Sequence, residues 1–242
     1  MKIKLNHGRI IGIEGQDLNP VLPTEDLSFV EDKDLFKEIR NYIRTEHRNL
    51  DFKLNFQNEV MKGSNPYLQV AIDMFLKQNF PEFRIARQRD LETDLQKFRG
   101  FYIDSGLALR SREAQNSEQS ISLYNQLKAR GLKDSEIFPM FIELRNLELT
   151  PTLEFQLTPE STYKQAPCLN WQSGAKYKQT DDFGLPEQEE SLGSRKLFTS
   201  NSALSRVYLY RYGNLYSSYS YLSSSYDYGR VALVRPQANA RP

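Results

Sequence analysis

The chain has 242 residues, of which 39% are hydrophobic and 26% are charged, and its formal net charge is +1. A chain of this length can bury a sizeable core, as one large domain or two small ones. The composition is typical of a folded globular protein and does not indicate a disordered chain. The near-zero net charge removes the simplest electrostatic argument for a nucleic-acid or anionic-membrane partner.

No apolar run approaches the roughly 20 residues that span a bilayer, so no membrane span is expected. The N-terminus, Met1-Lys2-Ile3-Lys4-Leu5, lacks the apolar stretch of a secretory signal, which makes a cytoplasmic location the default expectation. Cys168 is the only cysteine, so an intrachain disulfide is excluded. A lone cysteine is more often a small core residue than a nucleophile.

Residues 1–84 predict an N-terminal α/β segment. The first fifteen residues have the alternation of a β-hairpin, with turn residues at Asn6-His7-Gly8. A helix is expected over residues 29–44, because Ser28 and Glu31 have capping-box spacing. A second helix is expected to begin at Asn65-Pro66, a capping residue followed by proline at the first helical position.

Beyond residue 85, short strands are predicted at 101–103 and 107–109, with a turn at Asp104-Ser105-Gly106 between them. A helix over residues 117–130 is expected to end at Gly131 in a left-handed cap. Further β-like runs follow at residues 138–144, 147–149 and 153–157.

The stretch from 158 to 195 is polar and rich in turn residues, with Trp171 as its main apolar anchor. It predicts long irregular structure on a scaffold, which is uncommon in compact domains unless it serves a function.

Residues 208–228 differ in composition from the rest of the chain. They hold eight of the fourteen tyrosines, six serines, Asn214 and Asp227. Tyrosine gives a large, stiff contact area with few torsions to freeze, and serine and asparagine add adaptable hydrogen bonds, as in antibody binding sites. The segment therefore predicts a displayed ligand-binding surface, held from beneath by inward-pointing leucines.

Two other interpretations of this segment are weaker. A low-complexity polar tract can be disordered, but apolar runs at 204–209 and 231–234 bracket this one and favour an anchored segment. The tyrosines could also be ordinary packed strand residues. Eight phenols so close together cannot all be buried with satisfied hydroxyls, however.

The borders of the segment carry a family resemblance. Leu197-Phe198-Thr199-Ser200-Asn201-Ser202-Ala203-Leu204-Ser205-Arg206 lead into it, and Gly229-Arg230-Val231-Ala232-Leu233-Val234-Arg235 close it. Together with residues 106–113, 124–131 and 183–186, they resemble the variable proteins of archaeal, nanoarchaeal-type diversity-generating retroelements. The resemblance covers roughly residues 100–235 and none of the first 80 or so.

The resemblance implies an α+β fold: a C-type lectin fold of the formylglycine-generating-enzyme-like subtype over residues 85–242, preceded by the N-terminal α/β extension. The variable region would be residues 204–234. The closing Gly229-Arg230 is similar to the Gly-Phe-Arg ending of that fold, with the phenylalanine missing.

The resemblance also implies how the composition arose. These retroelements rewrite adenines, and AAY asparagine codons readily become tyrosine, serine or aspartate codons, whereas leucine codons lack the targeted adenines. The expected function is that of a receptor-like, diversified protein that is not an enzyme and that binds changing ligands, which are expected to be proteins. The expected outward, ligand-binding residues are Tyr208, Tyr210, Tyr212, Asn214, Tyr216, Ser217, Ser218, Tyr219, Tyr221, Ser224, Tyr226 and Tyr228. The expected scaffold residues are Leu209, Leu215, Leu222, Gly229 and Arg230.

Enzymatic and metal chemistry is not indicated. His7 and His47 both lie in the N-terminal third, which argues against a Ser–His–Asp triad. Zinc, phosphate-loop and dinucleotide motifs are missing from the sequence, so no cofactor and no metal are expected. Formylglycine-generating enzymes use a cysteine pair, which Cys168 alone cannot supply. The acidic residues at 181–190 predict a solvated loop and not a calcium site.

The alternative function is a platform for single-stranded nucleic acid. From residue 197 onward there are five arginines and one acidic residue, Asp227. Tyrosines among arginines can stack bases, at about 1–3 kcal/mol each. An enzyme with an unrecognised site is the weakest expectation.

Overall fold

The computed structural model describes residues 26–112 and 117–235, together with the backbone of residues 3–6 and 9–13. These residues form an α+β fold whose largest element is a seven-stranded sheet curled into a half-barrel. In this described part of the chain, no helix is long and apolar enough to cross a membrane.

The helices in the described residues are α1 Lys33–Glu46, α2 Pro66–Asn79, α3 Gln88–Thr93, α4 Ser117–Ala129, α5 Asp134–Ile137 and the 3-10 turn Pro167–Asn170. The strands are β1 Ile3–Asn6, β2 Arg9–Ile13, β3 Asp26–Phe29, β4 Asn55–Gln57, β5 Val60–Lys62, β6 Arg84–Ile85, β7 Ile103–Leu109, β8 Met140–Glu143, β9 Leu147–Leu149, β10 Phe155–Leu157, β11 Tyr163–Gln165, β12 Ala175–Tyr177, β13 Arg195–Thr199, β14 Leu204–Tyr210, β15 Asn214–Tyr219 and β16 Ala232–Arg235.

The large sheet has the order β11-β8-β7-β14-β15-β13-β12. Its neighbouring strands are antiparallel, except that β13 and β15 run parallel. A three-stranded sheet has the order β3-β16-β6, and three antiparallel pairs join β1 to β2, β4 to β5 and β9 to β10. The predicted N-terminal hairpin is confirmed, and its turn residues His7 and Gly8 lie outside the described residues.

The two predicted N-terminal helices are present, but one begins later than expected. The Asn65 side chain accepts the Leu68 N–H at the start of α2, as the sequence predicts. The predicted capping box at the start of α1 is wrong. Ser28 lies in β3, and Asp32 caps the helix instead by accepting the Asp34 and Leu35 N–H groups. Because Ser28 pairs with β16, its backbone is extended and cannot begin a helix.

The helix predicted over residues 117–130 is confirmed as α4, and Gly131 follows it with a φ of 89°. The predicted turn at Asp104-Ser105-Gly106 is wrong, because these residues lie inside one buried strand, β7. Gly106 serves close packing here: a Cβ on it would lie 2.1 Å from the Phe141 ring of β8. Asp104 is accommodated in the strand because it pairs with the buried Arg206.

The stretch predicted as irregular, residues 158–195, contributes β11 and β12 to opposite edges of the large sheet. Its buried anchors are Leu169 and Tyr177, both 0% exposed, whereas Trp171 is only half-buried. The polarity of the stretch reflects edge strands with one solvated side. Such short edge strands carry weak sequence patterns.

The large sheet has an apolar layer on each face. On one face Leu107, Ile142 and Leu204 pack in a core shared with α1, α2 and α4. On the other face Val207 and Leu215 pack with the residues of the 158–195 stretch. Helices from the predicted N-terminal segment therefore complete the same core as the sheet of the C-terminal part.

Gly106→Ala should destabilise the fold, because the added methyl meets a buried ring and the Ile142 carbonyl. Overpacking of this kind costs about 1–3 kcal/mol in the free energy of unfolding, which urea unfolding measures. Adding Phe141→Leu to Gly106→Ala should recover part of that loss by removing the clashing ring. An unchanged stability of Gly106→Ala would show that β7 and β8 are not packed this closely.

Glu143, at the end of β8, is 2% exposed, and its carboxylate lies 3.4 Å from the Arg87 guanidinium. Burial raises the pKa of this carboxyl from 4.5 to about 7, although the nearby Arg89 lowers it in part. The unfolded chain therefore releases this proton at lower pH than the folded protein does. The contribution of Glu143 to stability is complete below pH 4.5 and is lost as pH rises toward 7.

Glu143→Gln should remove this pH dependence, because glutamine does not titrate. Urea unfolding at several pH values between 4.5 and 7 should show the wild type losing more stability with rising pH than the variant does. Parallel stability curves for the two proteins would contradict the raised pKa.

Candidate functional site

One face of β14 runs from the core to an open cleft. Side chains alternate along a strand, so Leu204, Arg206, Tyr208 and Tyr210 share a face. Leu204 is buried in the core beneath the helices, whereas Tyr208 and Tyr210 line the cleft. Arg206 therefore lies where the packed face becomes an open one.

A β-bulge brings a further tyrosine to the same face. Arg206 of β14 is opposite Tyr219 of β15, but Tyr208 is opposite Tyr216, so β15 carries one extra residue between the two pairs. Regular alternation would turn Tyr219 to the other face of the sheet. Because the bulge shifts the alternation by one residue, Tyr216 and Tyr219 both line the cleft.

A buried ion pair between Arg206 and Asp104 forms the floor of the cleft. The Arg206 side chain is 2% exposed; its Nε donates to Asp104 Oδ1 at 2.6 Å and its Nη2 donates to Asp104 Oδ2. Its Nη1 donates to the Ser224 carbonyl at 2.7 Å. The guanidinium carbon also lies 5.1 Å from the ring centroids of Tyr102 and Tyr208. A paired, planar guanidinium between two rings is held in one orientation.

The loop after β15 is fastened to the start of α2. The Asn65 side-chain amide donates to the Ser223 carbonyl at 2.9 Å, and the Ser64 N–H donates to Ser225 Oγ at 3.1 Å. Ser64 Oγ in turn donates to Asp104 Oδ2 at 2.6 Å. The same residues that begin α2 therefore hold both the loop and the floor.

Tyr102 links Ser64, next to the start of α2, to the loop that carries Tyr226. Its hydroxyl donates to the Ser64 carbonyl and accepts the Tyr226 N–H, each at 2.9 Å. Gly229 lets the chain pass close by: a Cβ there would lie 2.7 Å from the Ser64 nitrogen and from the Tyr102 ring. These contacts place Tyr226 and Tyr228 at the cleft, next to the strand tyrosines Tyr219 and Tyr210.

The cleft has a volume of about 190 Å³ and is lined by Tyr102, Arg206, Tyr208, Tyr210, Tyr216, Tyr219, Tyr226 and Tyr228. Its rings form two stacked pairs. Tyr208 and Tyr216 lie 5.3 Å apart at 23°, and Tyr226 and Tyr228 lie 5.7 Å apart at 13°. Tyr102 meets Tyr208 and Tyr228 edge-on. Each wall is thus a rigid aromatic surface, fixed by ring contacts at preferred geometries.

Five hydroxyls of the cleft, those of Tyr102, Tyr208, Tyr216, Tyr219 and Tyr228, have raised pKa values and stay protonated at neutral pH. Burial raises the pKa of Tyr102 to about 12 and raises the pKa values of Tyr208, Tyr216 and Tyr228 above their usual value near 10. The hydrogen bond between the Tyr219 and Tyr226 hydroxyls, at 3.1 Å, raises the pKa of Tyr219. These five hydroxyl groups are therefore neutral and carry no phenolate charge.

Most of the residues predicted to face outward do so, at least in part. Tyr212 is 74% exposed, Tyr221 70% and Tyr226 44%. Half-buried are Tyr208, Tyr210, Asn214, Tyr216, Ser218, Tyr219, Ser224 and Tyr228. The prediction for Ser217 is wrong. It is 0% exposed, and its hydroxyl accepts from Arg110 Nη2 at 2.6 Å, because alternation on β15 turns it inward next to Leu215.

The residues expected to form the scaffold lie inside the fold. Leu209, Leu215 and Leu222 are buried, and so are Gly229 and Arg230. The Arg230 guanidinium lies 4.4 Å from the Phe101 centroid and donates to the Asp227 carbonyl at 2.7 Å.

Sequence reasoning missed the floor of the cleft: Tyr102, Asp104 and Arg206. A usable signal existed for Arg206, because it stands two residues before Tyr208 and hence on the same strand face. Asp104 could be identified only by interpreting residues 103–109 as one buried strand. An acidic residue among the apolar residues of such a strand needs a buried partner.

The arginines that suggested nucleic-acid binding are largely engaged within the protein. Arg206 and Arg230 are buried, whereas Arg235 is exposed and lies over the Phe83 ring. Arg211, whose guanidinium lies 4.1 Å from the Tyr228 centroid, is beside the cleft. Arg241 lies outside the described residues. The described cleft therefore lacks the basic stripe that follows a phosphate backbone.

Histidine, cysteine and carboxylate side chains are not among the described residues that line the cleft. In the part of the chain that the structure describes, no three His, Cys, Asp or Glu residues are arranged to hold a metal ion. Cys168 is buried, and burial raises the pKa of its thiol to about 12, which leaves it protonated and a poor nucleophile. His47 ends α1 and is buried against Tyr42.

Comparison with protein-family models, with curated proteins and with solved structures finds no match to this chain. What the cleft binds therefore has to be inferred from its own geometry and chemistry.

Arg206→Met should strongly destabilise the protein, because it leaves the Asp104 carboxylate buried without its partner. Breaking a buried pair in this way costs about 3–5 kcal/mol, measurable by urea unfolding. The double variant Asp104→Leu/Arg206→Met should recover most of the loss, since apolar residues replace both charges. A loss below about 1 kcal/mol, the range of exposed ion pairs, would show that the pair does not hold the floor.

Proposed function

We propose that this protein is a ligand-binding protein, not an enzyme, and that its tyrosine-rich cleft and rim form the binding surface. The observation that carries the proposal is the contrast between buried and displayed side chains within residues 208–228. The leucines pack inward, while six tyrosine rings, together with Tyr102, surround one open cleft. Tyrosine-rich surfaces of this kind bind with rigid, amphipathic rings at low entropic cost.

We further propose that the surface is diversified, as in the variable proteins of diversity-generating retroelements, with residues 204–234 as the variable region. Support comes from the residue types at the exposed positions, which match those that adenine substitution in asparagine codons would give. The fold proposed for residues 85–242 is the C-type lectin fold of the formylglycine-generating-enzyme-like subtype. A mixed α+β arrangement with a strongly curled sheet is compatible with that assignment.

The proposed partner is a protein. The cleft is small, and the exposed rings of Tyr212 and Tyr221 extend the aromatic surface beyond it. A broad rim around a small central pocket is typical of protein recognition, in which a few anchoring side chains carry most of the affinity. Single-stranded nucleic acid is less well supported, because Arg206 and Arg230 are buried.

The binding test uses partners selected from a protein-display library against the wild-type chain. The triple variant Tyr212→Ala/Tyr221→Ala/Tyr226→Ala should keep its stability, since surface substitutions cost within about 0.5 kcal/mol each. It should lose affinity for the selected partners by about 2 kcal/mol or more at each anchoring position.

The control variant is Leu192→Ala, which removes an apolar side chain that is 94% exposed and outside the segment. It should leave binding unchanged. Partners that bind the triple variant as well as the wild type would overturn the proposed site.

Diversification has its own test in the genes of close relatives of this chain. Nucleotide differences should concentrate at adenines of the codons for the outward positions, and the leucine codons at 209, 215 and 222 should be constant. Differences spread evenly over the gene would contradict diversification without affecting the binding proposal.

A further inference from the structure

Arg110, directly after β7, is hydrogen-bonded only to neutral groups. Its Nε donates to the Leu169 carbonyl and its Nη1 donates to Ser205 Oγ, each at 2.8 Å. Its Nη2 donates to Ser217 Oγ at 2.6 Å and to the Ser217 carbonyl at 2.8 Å. A guanidinium has five N–H donors, so these four bonds leave one N–H of Nη1 for a further acceptor.

The positive charge of Arg110 is not offset inside the protein. Within the described ranges no carboxylate forms an ion pair with it, whereas Arg206 is paired with Asp104. Arg110 is half-buried, and burial lowers its pKa to about 10, which leaves it charged at neutral pH. Neutral acceptors restore only part of the solvation that such a charge loses. An anion beside the guanidinium would supply the missing partner.

Arg110 opens onto a pocket of about 280 Å³. None of the described residues that line this pocket is acidic, and the amide and hydroxyl groups among them can donate hydrogen bonds to an oxyanion. The exposed side-chain amides of Asn170 and Asn201 form no hydrogen bond to the described part of the chain. Besides Arg110, the pocket is lined by residues that include Asn170, Trp171, Thr199, Ser200 and Asn201.

Trp171 gives the pocket an apolar wall. The indole is half-buried and packs against the apolar layer that contains Leu169 and Val207. Among the residues that the structure describes, no aromatic ring or cation is stacked on it. An indole offers a large apolar surface to the carbon skeleton of a ligand. The pocket is slightly smaller than the roughly 300 Å³ at which sites for drug-sized molecules begin, so it is suited to a small ligand.

This pocket is separate from the tyrosine cleft and shares no lining residue with it. Because side chains alternate along a strand, Ser205 shares a face of the sheet with Val207, and Ser217 shares it with Leu215. That face packs with residues of the 158–195 stretch, whereas the cleft lies over the opposite face.

We propose that this pocket is a second binding site, which takes a small organic oxyanion. The carboxylate or phosphate group of the ligand lies beside Arg110, and its carbon skeleton lies on Trp171. The site goes beyond the proposed function, because it is built from residues that the cleft does not use.

The experiment uses the fluorescence of Trp171, which is the only tryptophan of the chain and therefore reports on this pocket directly. The full chain is titrated at constant ionic strength with inorganic phosphate, acetate and cyclohexanecarboxylate, and with uncharged cyclohexylmethanol as the matched control. At least one anion should change the emission in a saturable way, and the alcohol should not. The anion that binds should also raise the melting temperature. The phosphate and carboxylate titrations distinguish the two kinds of oxyanion.

Arg110→Gln keeps a polar side chain and removes the charge. It should weaken binding of the effective anion about tenfold or more, since charge-assisted hydrogen bonds are stronger than neutral ones. Arg99→Gln is the matched control. It removes one exposed positive charge outside the pocket and should leave the affinity unchanged.

Ser217→Asp and Ser217→Asn form a second matched pair, because the two side chains are similar in size and differ in charge. Aspartate at this position gives Arg110 a carboxylate partner within the protein. Ser217→Asp should therefore bind the anion about tenfold or more weakly than Ser217→Asn does. Circular dichroism of each variant separates lost binding from lost folding, and this pair carries the comparison if Arg110→Gln does not fold.

Three results contradict the second site. The wild type could show no change in emission or melting temperature with any of the anions, it could respond to cyclohexylmethanol as it does to the carboxylate, or Arg110→Gln could bind as tightly as the wild type. Each of these results leaves the proposed function of the cleft intact. Conversely, a failure of the cleft variants to lose partner binding does not affect this pocket, because the two sites share no lining residue.

Discussion

The buried pair of Arg206 and Asp104 joins the parts of this molecule that would otherwise be independent. Arg206 comes from β14 and Asp104 from β7, while Ser64, at the start of α2, donates to the same carboxylate. A charge taken out of water is tolerated only with a partner of good geometry. The large sheet, α2 and the loop of residues 220–228 are therefore held in one arrangement. The cleft lies over the Arg206–Asp104 pair that joins them.

In this arrangement, the residues that stabilise the fold differ from the residues that face solvent. The residues that carry the packing beneath the surface are Leu209, Leu215, Leu222 and the Arg206–Asp104 pair, all nearly fully buried. The tyrosines above them contribute contact area that is partly or largely exposed. A surface built this way can change its side chains without changing the backbone that presents them, which is the property that the proposed diversification requires.

Sequence reasoning predicted local features well and long-range ones poorly. The cap at Asn65, the helix ending before Gly131 and the inward leucines follow from local spacing. Asp104-Ser105-Gly106 was interpreted as a turn, because the pairing of Asp104 with Arg206, 102 residues away, leaves no local pattern. Ser217 and Tyr219 depend on strand alternation and on a bulge that only the partner strand defines. The edge strands of residues 158–195 were missed for the same reason.

The central claim is that buried residues stabilise the fold while the exposed tyrosines do not. Saturation mutagenesis of residues 204–230, scored for folding by resistance to proteolysis, tests this claim most directly. Arg206, Leu209, Leu215, Leu222 and Gly229 should reject nearly all substitutions, whereas Tyr212, Tyr221 and Tyr226 should accept polar and apolar residues alike. Ser217, buried between Leu215 and the Arg110 guanidinium, should behave as a packed residue. If the exposed tyrosines prove as intolerant as the leucines beneath them, the segment is scaffold throughout and the account of a displayed surface is wrong.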